Sequence, residues 1–323
     1  MPVPAVIAVD LGGTLLRTGV VTGRGEIVHQ VTERVGDRRG AAAIEAFLRE
    51  AVAAVYAWAR EHGIAPGGVA LAVPGLVDGA RGILRYAVNL DVRDFPVRAI
   101  VREAVPLPVV VENDVRAAAW GEWRWGAGRG SRSAVLMSAG TGIAAAAVIG
   151  GRLYRGASWA AGEIGHVPFV ADGERCRCGH LGCLETVAGG WGIARRAETL
   201  AAAEGSPLPG VARGERVSTE VVFQAARAGH RIAQRVVSDA ASFMGRAAVA
   251  LARVWNPDRL ILSGGLFFQG SPLVEGVERA IQGSALYGDR PPAVLLAEFG
   301  GNSGLIGAAC LLLAPEEAPA AAY

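Results

Sequence analysis

The chain has 323 residues, 51% hydrophobic and 19% charged, with a formal net charge of +2. That length is too great for one ordinary core and suits two lobes, and the composition excludes a disordered chain. It carries no basic run with interleaved aromatics, so nucleic-acid binding has no compositional support. All 32 basic residues are Arg. A P-loop needs a Lys after its second Gly, so any phosphate cradle here has to use backbone N–H groups, hydroxyls and Arg.

Residues 4–10 (PAVIAVD) read as a buried strand ending in Asp10. Leu11-Gly12-Gly13-Thr14 then turns the chain, and residues 17–21 and 26–31 read as two further strands. Residues 41–60 are helical, with Ile44, Leu48, Val52 and Val55 on one face. Residues 69–73 form another buried strand, stopped by Pro74-Gly75. A strand over 108–111 leads into Glu112-Asn113-Asp114, and a helix follows over 115–125. Asp114 therefore falls at a strand-to-helix junction, on the sheet edge where open α/β sheets bind ligands.

Residues 133–151 are uncharged between Arg132 and Arg152, a length that suits a membrane span. The Ser138-Ala139-Gly140-Thr141-Gly142 in its middle reads instead as a turn between two strands, 133–137 and 143–149. Strand, Gly/Thr turn and second strand thus recur, which suggests a duplicated lobe. Helical patterns fill 188–203, 219–228 and 231–255, and a strand over 258–262 ends in Ser263-Gly264-Gly265. An apolar helix over 305–313 precedes an Ala/Pro/Glu-rich tail over 314–323, which is expected to fray. No Pro/Ser-rich linker separates the lobes. The expected division is a smaller lobe over 1–115, on which the C-terminal segment 303–323 packs back, and a larger lobe over 116–302. The start MPVPAVIAVD has no signal-peptide pattern. The expectation is a cytoplasmic protein without membrane or nucleic-acid partners.

Three glycine turns follow apolar strands: Gly12-Gly13, Gly140-Thr141-Gly142 and Gly264-Gly265. Glycine lets a backbone approach a phosphate closely and point N–H groups at it. Beside the first turn, Asp10 can hold a Mg²⁺-bound water, Thr14 can donate a hydroxyl and Arg17 supplies a cation. Together the turns suit a nucleotide triphosphate. Cys176, Cys178 and Cys183 lie within eight residues, with Gly179 and Gly182 letting the loop fold back, a spacing that suits Zn²⁺. His166 and His180 are both candidates for the fourth ligand. Glu163 and Glu185 bracket this loop as fixed carboxylates able to accept hydrogen bonds from sugar hydroxyls. Asn113-Asp114 offers a base for phosphoryl transfer to an alcohol; the alternative role for Asp114 is a helix cap.

The string Glu163-x-Gly165-His166, nine residues, then Cys176-x-Cys178-Gly179-x-x-Gly182-Cys183-x-Glu185 resembles the ROK family of repressors and kinases. Within it the chain looks most like the bacterial glucokinase branch. The likeness runs from Asp10-Leu11-Gly12-Gly13-Thr14 to Gly304-Leu305-Ile306-Gly307-Ala308-Ala309. It implies a two-lobed, actin-like (ribonuclease H-like) α/β sugar kinase fold with a small zinc loop. It also implies transfer of the ATP γ-phosphate to a hexose 6-hydroxyl, with Mg²⁺ and a structural Zn²⁺. Asp114 becomes the catalytic base, and Asn89, Asn113, Glu163, His166 and Glu185 become sugar contacts. His166 rather than His180 completes the zinc site. Gly12, Gly13, Thr14, Gly140, Thr141 and Gly142 fall on the phosphate motifs, and Gly264 and Gly265 on the adenosine side.

The chain departs from the pattern in two places. Ala144 to Ala147 follow the second turn where many relatives have glycines, and Asp91-Val92 follows Asn89-Leu90 where many have Trp. The latter leaves mannose, fructose or an N-acetylhexosamine as alternative substrates to glucose, and polyphosphate is an alternative donor. A repressor would need a helix-turn-helix before Asp10, and a noncatalytic sugar-binding regulator is the alternative of another class. The resemblance further implies a homodimer or homotetramer.

Overall fold

Residues 4–211, 216–284 and 290–316 are described by a computed structural model. In chain order the elements are β1 (Ala5–Leu11), β2 (Leu15–Thr22), β3 (Ile27–Arg34), α1 (Ala41–Glu61), β4 (Val69–Val73), β5 (Leu76–Asp78), β6 (Ile83–Ala87), β7 (Val92–Phe95), α2 (Val97–Ala104), β8 (Val109–Asn113) and α3 (Asp114–Arg124). There follow β9 (Ala134–Ala139), β10 (Ile143–Ile149), β11 (Arg152–Tyr154), α4 (Leu184–Ala188), α5 (Gly190–Ala203), α6 (Thr219–Arg227), α7 (Arg231–Trp255), β12 (Arg259–Ser263), α8 (Pro272–Gln282), β13 (Ala293–Leu296) and α9 (Ser303–Leu313). The end of the tail, residues 317–323, lies outside the described residues.

The chain divides into two compact units, one of residues 4–133, 146–161 and 297–316, the other of 134–145 and 162–296, among the described residues. The expected break at 115/116 falls inside α3, and the division comes at 133/134 instead. The reason is packing of α3 on α9. A Cβ on Gly121 would come within 2.7 Å of Gly307 Cα, so the two backbones touch and keep α3 with the first unit.

The first unit's main sheet has the order β3-β2-β1-β4-β8, with β1, β4 and β8 parallel. Every residue of β1 is buried, as a central strand covered on both faces requires. Its alternation sorts the layers. Ala5, Ile7, Val9 and Leu11 join Ile44, Leu48 and Val52 of α1, while Val6 and Ala8 join Ala117 of α3 and Leu305, Ala308 and Ala309 of α9. A smaller antiparallel sheet, β5-β6-β7, lies between β4 and α2 in the chain.

In the second unit, β12 runs parallel to β9 and β13, and β10 neighbours β9. Helices α4 to α8 also belong to this unit. β10 begins in the second unit and ends in the first, where it pairs with β11. The uncharged stretch around residues 133–151 is thus two strands and a turn. No helix among the described residues is long and apolar enough to cross a membrane.

Candidate functional site

Three parallel strands of the first unit end on one edge. Asp10 lies beside Ala72, and Val73 beside Asn113, so β1, β4 and β8 deliver Asp10, Pro74-Gly75 and Asn113-Asp114 side by side. Two strand spacings separate Asp10's strand from Asp114's, roughly 10 Å. After β1 the chain closes a tight hairpin, Gly12 N–H donating to Leu15 O at 2.8 Å. Asn89 lies against this turn: a Cβ on Gly13 would meet Asn89 Cβ at 3.0 Å. Thr14 is exposed. Asp91 adopts a left-handed conformation (φ 54°) that ends the single 3-10 turn carrying Asn89. Asp tolerates that region better than bulky residues do.

Asp10 is buried and faces Arg17 across the β1–β2 pair, Arg17 Nη1 donating to Oδ2 at 3.2 Å. A Cβ on Gly304 would come within 2.6 Å of its carboxylate, so the start of α9 closes over it. Burial pushes the Asp10 carboxyl above its ordinary value, with the Arg17 charge and hydrogen bond working against that shift. The folded chain therefore holds this proton to higher pH than the unfolded chain does. Asp10 withdraws stability as pH rises from the ordinary carboxylate range through its folded value. Asp10→Asn is expected to raise the thermal midpoint near neutral pH in the absence of nucleotide and Mg²⁺. A lower midpoint in melts at that pH would contradict this.

Asn113, not Asp114, caps α3. Its Oδ1 accepts from Arg116 N–H at 3.1 Å, in the extended conformation usual for a cap. Asp114 is the first helical residue. Its Oδ1 accepts from Asn113 Nδ2 and from Val115 N–H, both at 2.9 Å. Asn113 Nδ2 also donates to Gly75 O at 3.1 Å, tying the junction to the end of β4.

In the second unit the other two glycine turns leave the carboxyl ends of neighbouring strands, since Ser138 of β9 pairs with Ser263 of β12. Gly264 has φ 93°, and a Cβ there would come within 2.4 Å of Ala139 O. Gly190 N–H, at the start of α5, donates to Gly140 O at 2.9 Å. A Cβ on Gly142 would approach Glu185 Oε2 to 2.4 Å. That carboxylate is anchored, accepting from Ile143 N–H at 3.1 Å and Trp191 Nε1–H at 2.9 Å. Each oxygen keeps lone pairs for further donors. The second glycine turn and an expected sugar ligand are thus in direct contact. Gly165 allows the 3-10 turn over Ile164–His166 to lie on β10, because a Cβ would meet Ile143 O at 2.1 Å.

Three sulfurs and one imidazole nitrogen, from Cys176, Cys178, Cys183 and His166, lie within 4.8 Å of one another. The Cys178 and Cys183 sulfurs are 3.6 Å apart. Two Zn–S bonds at a tetrahedral angle give about 3.8 Å. His166 Nδ1 faces Cys176 Sγ at 3.7 Å and its Nε2 lies 4.0 Å from Glu163 Oε2. One ring nitrogen thus faces the thiols while the other faces Glu163. His180 stands outside the set of four, with Nδ1 3.5 Å from Cys178 Sγ. The donor set fits a closed structural zinc site. Burial pushes the Cys183 thiol up to about 12 and raises that of Cys176. Burial also acts upward on Cys178, but hydrogen bonds from the His180 backbone and ring and from the other two thiols bring it down to about 6.

Sequence reasoning missed Glu112, Arg116, Arg155, Trp159 and Trp191. Glu112 and Arg116 are i, i+4 across the β8–α3 junction, a spacing legible in principle. Trp191 lies in Gly189-Gly190-Trp191-Gly192, whose glycines fit close backbone approaches to Gly140, Thr141, Glu185 and Thr186.

Two units whose parallel strands end in glycine turns, one carrying a Cys₃His loop, define the actin-like α/β fold with a small zinc site. The chain belongs to the ROK family, whose model matches residues 6–315. It is 35% identical to a glucokinase of Streptomyces coelicolor over 96% of this chain and 98% of that protein. Among solved structures it is similar to a ROK family glucokinase from Streptomyces griseus in complex with glucose and AMPPNP. The TM-score is 0.81, at 32% identity, covering 95% of this chain and 98% of that one. It also resembles a ROK family transcriptional regulator, with a TM-score of 0.83 at 26% identity, over 94% of this chain and 76% of that one.

Proposed function

We propose that this chain is an ATP-dependent hexose kinase that phosphorylates the sugar 6-hydroxyl, with glucose as its substrate. The observation that carries this reading is the shared edge of the first unit's sheet, where the Asp10–Thr14 turn and the Asp114 carboxylate stand two strands apart. Full-length likeness to glucokinases supports it.

The three glycine turns hold the nucleotide, with the first two on the phosphates. Mg²⁺, when bound, neutralises phosphate charge, and Asp10 is the residue to hold its water shell. Glu163, His166, Glu185, Asn89 and Asn113 orient the sugar. Asp114 takes the proton from the 6-hydroxyl as that oxygen bonds to the γ-phosphorus and the bond from phosphorus to the departing ADP oxygen breaks.

The test is ADP release from Mg²⁺–ATP across glucose, mannose, fructose and N-acetylhexosamines, using folded, zinc-loaded protein. Highest kcat/KM with glucose, and a 6-phosphate product, is the expected result. A different preferred hexose would overturn the substrate but keep the kinase. Sugar binding without turnover would move the chain to a noncatalytic regulator, and turnover only with polyphosphate would replace the donor.

A further inference from the structure

Directly behind the Asn113-Asp114 junction lies a network of charges that the reaction as described does not use. The Glu112 side chain is 3% exposed. Its Oε1 accepts from Arg116 Nε at 2.7 Å and from Asn113 N–H at 2.8 Å, and its Oε2 accepts from Arg155 Nε at 2.6 Å. Arg116 is buried as deeply, and it reaches further: Nη1 donates to Trp159 O at 2.8 Å and Nη2 to Val77 O at 3.4 Å. Arg155 carries a second ion pair, Nη1 to Glu316 at 2.6 Å.

Burying the Glu112–Arg116 pair is an expensive way to hold a core together. Apolar residues of similar volume often give equal or greater stability, so a buried ionic cluster calls for another role, such as fixing one geometry. Trp159 points the same way. It has φ 62°, a region that non-glycine residues occupy at a cost, and such residues persist where their surroundings force them. Here the forcing contacts are Arg116 on its carbonyl and Gly79 under its ring, where a Cβ would meet Trp159 Cζ3 at 3.0 Å. Three residues after Trp159 the chain leaves the first unit and, one residue later, reaches Glu163.

We infer that Glu112, Arg116 and Arg155 form a positioning device that fixes the Asp114 carboxylate and the 155–161 strap in one geometry. This rests on Asp114 serving as the base of the proposed kinase. The link runs through Asn113, whose backbone N–H is held by Glu112 and whose Nδ2 orients Asp114 Oδ1. Arg116 joins the same junction to the strap, so a change in the cluster reaches both ends. A misplacement near 1 Å at a reacting group costs about 10²-fold in rate.

The test uses the full chain with Glu112→Gln, which keeps shape but removes the charge, and Arg155→Ala and Arg155→Lys. Arg155 is part-exposed, so its variants fold even where Glu112→Gln does not. The expected result for Glu112→Gln and Arg155→Ala is a fall in kcat of about 10- to 100-fold. The KM for ATP stays unchanged, and Arg155→Lys recovers part of kcat. Amide hydrogen exchange supplies a readout independent of turnover: faster exchange is expected at both 113–116 and 157–161. Folded variants with wild-type kcat would overturn the inference. So would a lower melting temperature with unchanged kcat per folded molecule, or exchange unchanged at either segment. A wild-type protein inactive on every hexose would instead sink the kinase reading, while the exchange data would still decide whether the cluster couples the two segments.

Discussion

Asp114→Asn is expected to lower kcat for sugar phosphorylation by about 10²- to 10⁴-fold, the contribution of a positioned general base. The substitution keeps side-chain volume, and an amide oxygen can still accept from Val115 N–H. The cap of α3 belongs to Asn113, so the helix keeps it. What α3 loses is one acidic group in its first turn, where such charges contribute about 0.3–1 kcal/mol. Melting temperature and sugar affinity therefore stay close to wild type while turnover collapses. Steady-state kinetics beside a thermal melt reads both. A kcat near wild type in folded protein would remove Asp114 from the role of base.

Loss of zinc carries the second large effect. Cys178 is exposed, whereas Cys176 and Cys183 are buried, so Cys178→Ser changes a ligand without opening a cavity. The loop is pinned by Cys176 N–H to His180 O at 2.8 Å and by Gly182 N–H to Glu174 O at 2.9 Å, and Cys183 immediately precedes α4, which carries Glu185. His166 lies three residues from Glu163. An ion bound by these four ligands would therefore staple both carboxylates expected to hold the sugar. The variant is expected to lose its zinc and to raise sugar KM by at least about 10-fold, equivalent to about 1.4 kcal/mol, with the ATP KM far less changed. Elemental analysis and paired KM measurements check this. One zinc per chain with normal sugar affinity would refute it.

The buried strands and long helices were legible because burial on both faces writes continuous apolar runs, as in β1, β4 and β9, and amphipathic helices write a 3.6-residue period, as in α1 and α7. The sheet β5-β6-β7 was not, because its strands are three to five residues long and its register depends on local conformation. Gly75 has φ 84°, and a Cβ there would strike Tyr86 O at 2.2 Å. Helix α2 was passed over although Pro96 precedes it and Val97, Ile100 and Val101 share a face. Helix α8 was passed over although Ser271 caps it and Pro272 opens it, both local signals. The helix expected over 188–203 is α5, which starts at Gly190 against the Gly140 turn, whereas the short α4 just before it was not legible. At the site, clustered motifs such as the zinc ligands could be read as one-dimensional spacing. The Glu112–Arg155 pair, separated by 43 residues, could not, because only the fold brings it together.

The long detour of the chain between α3 and α9 has a consequence for synthesis on the ribosome. Val6, Ala8, Ala70 and Ala72 line a face of the first sheet that Leu305, Ala308 and Ala309 cover. The strands are made early and their cover last, with the whole second unit translated in between. At the order of 5–20 residues per second, that apolar face waits roughly ten seconds or more for α9. The second unit, by contrast, holds every strand of its parallel set by residue 296. The portion that begins first is thus the one that finishes last, with its apolar face uncovered until α9 has been made.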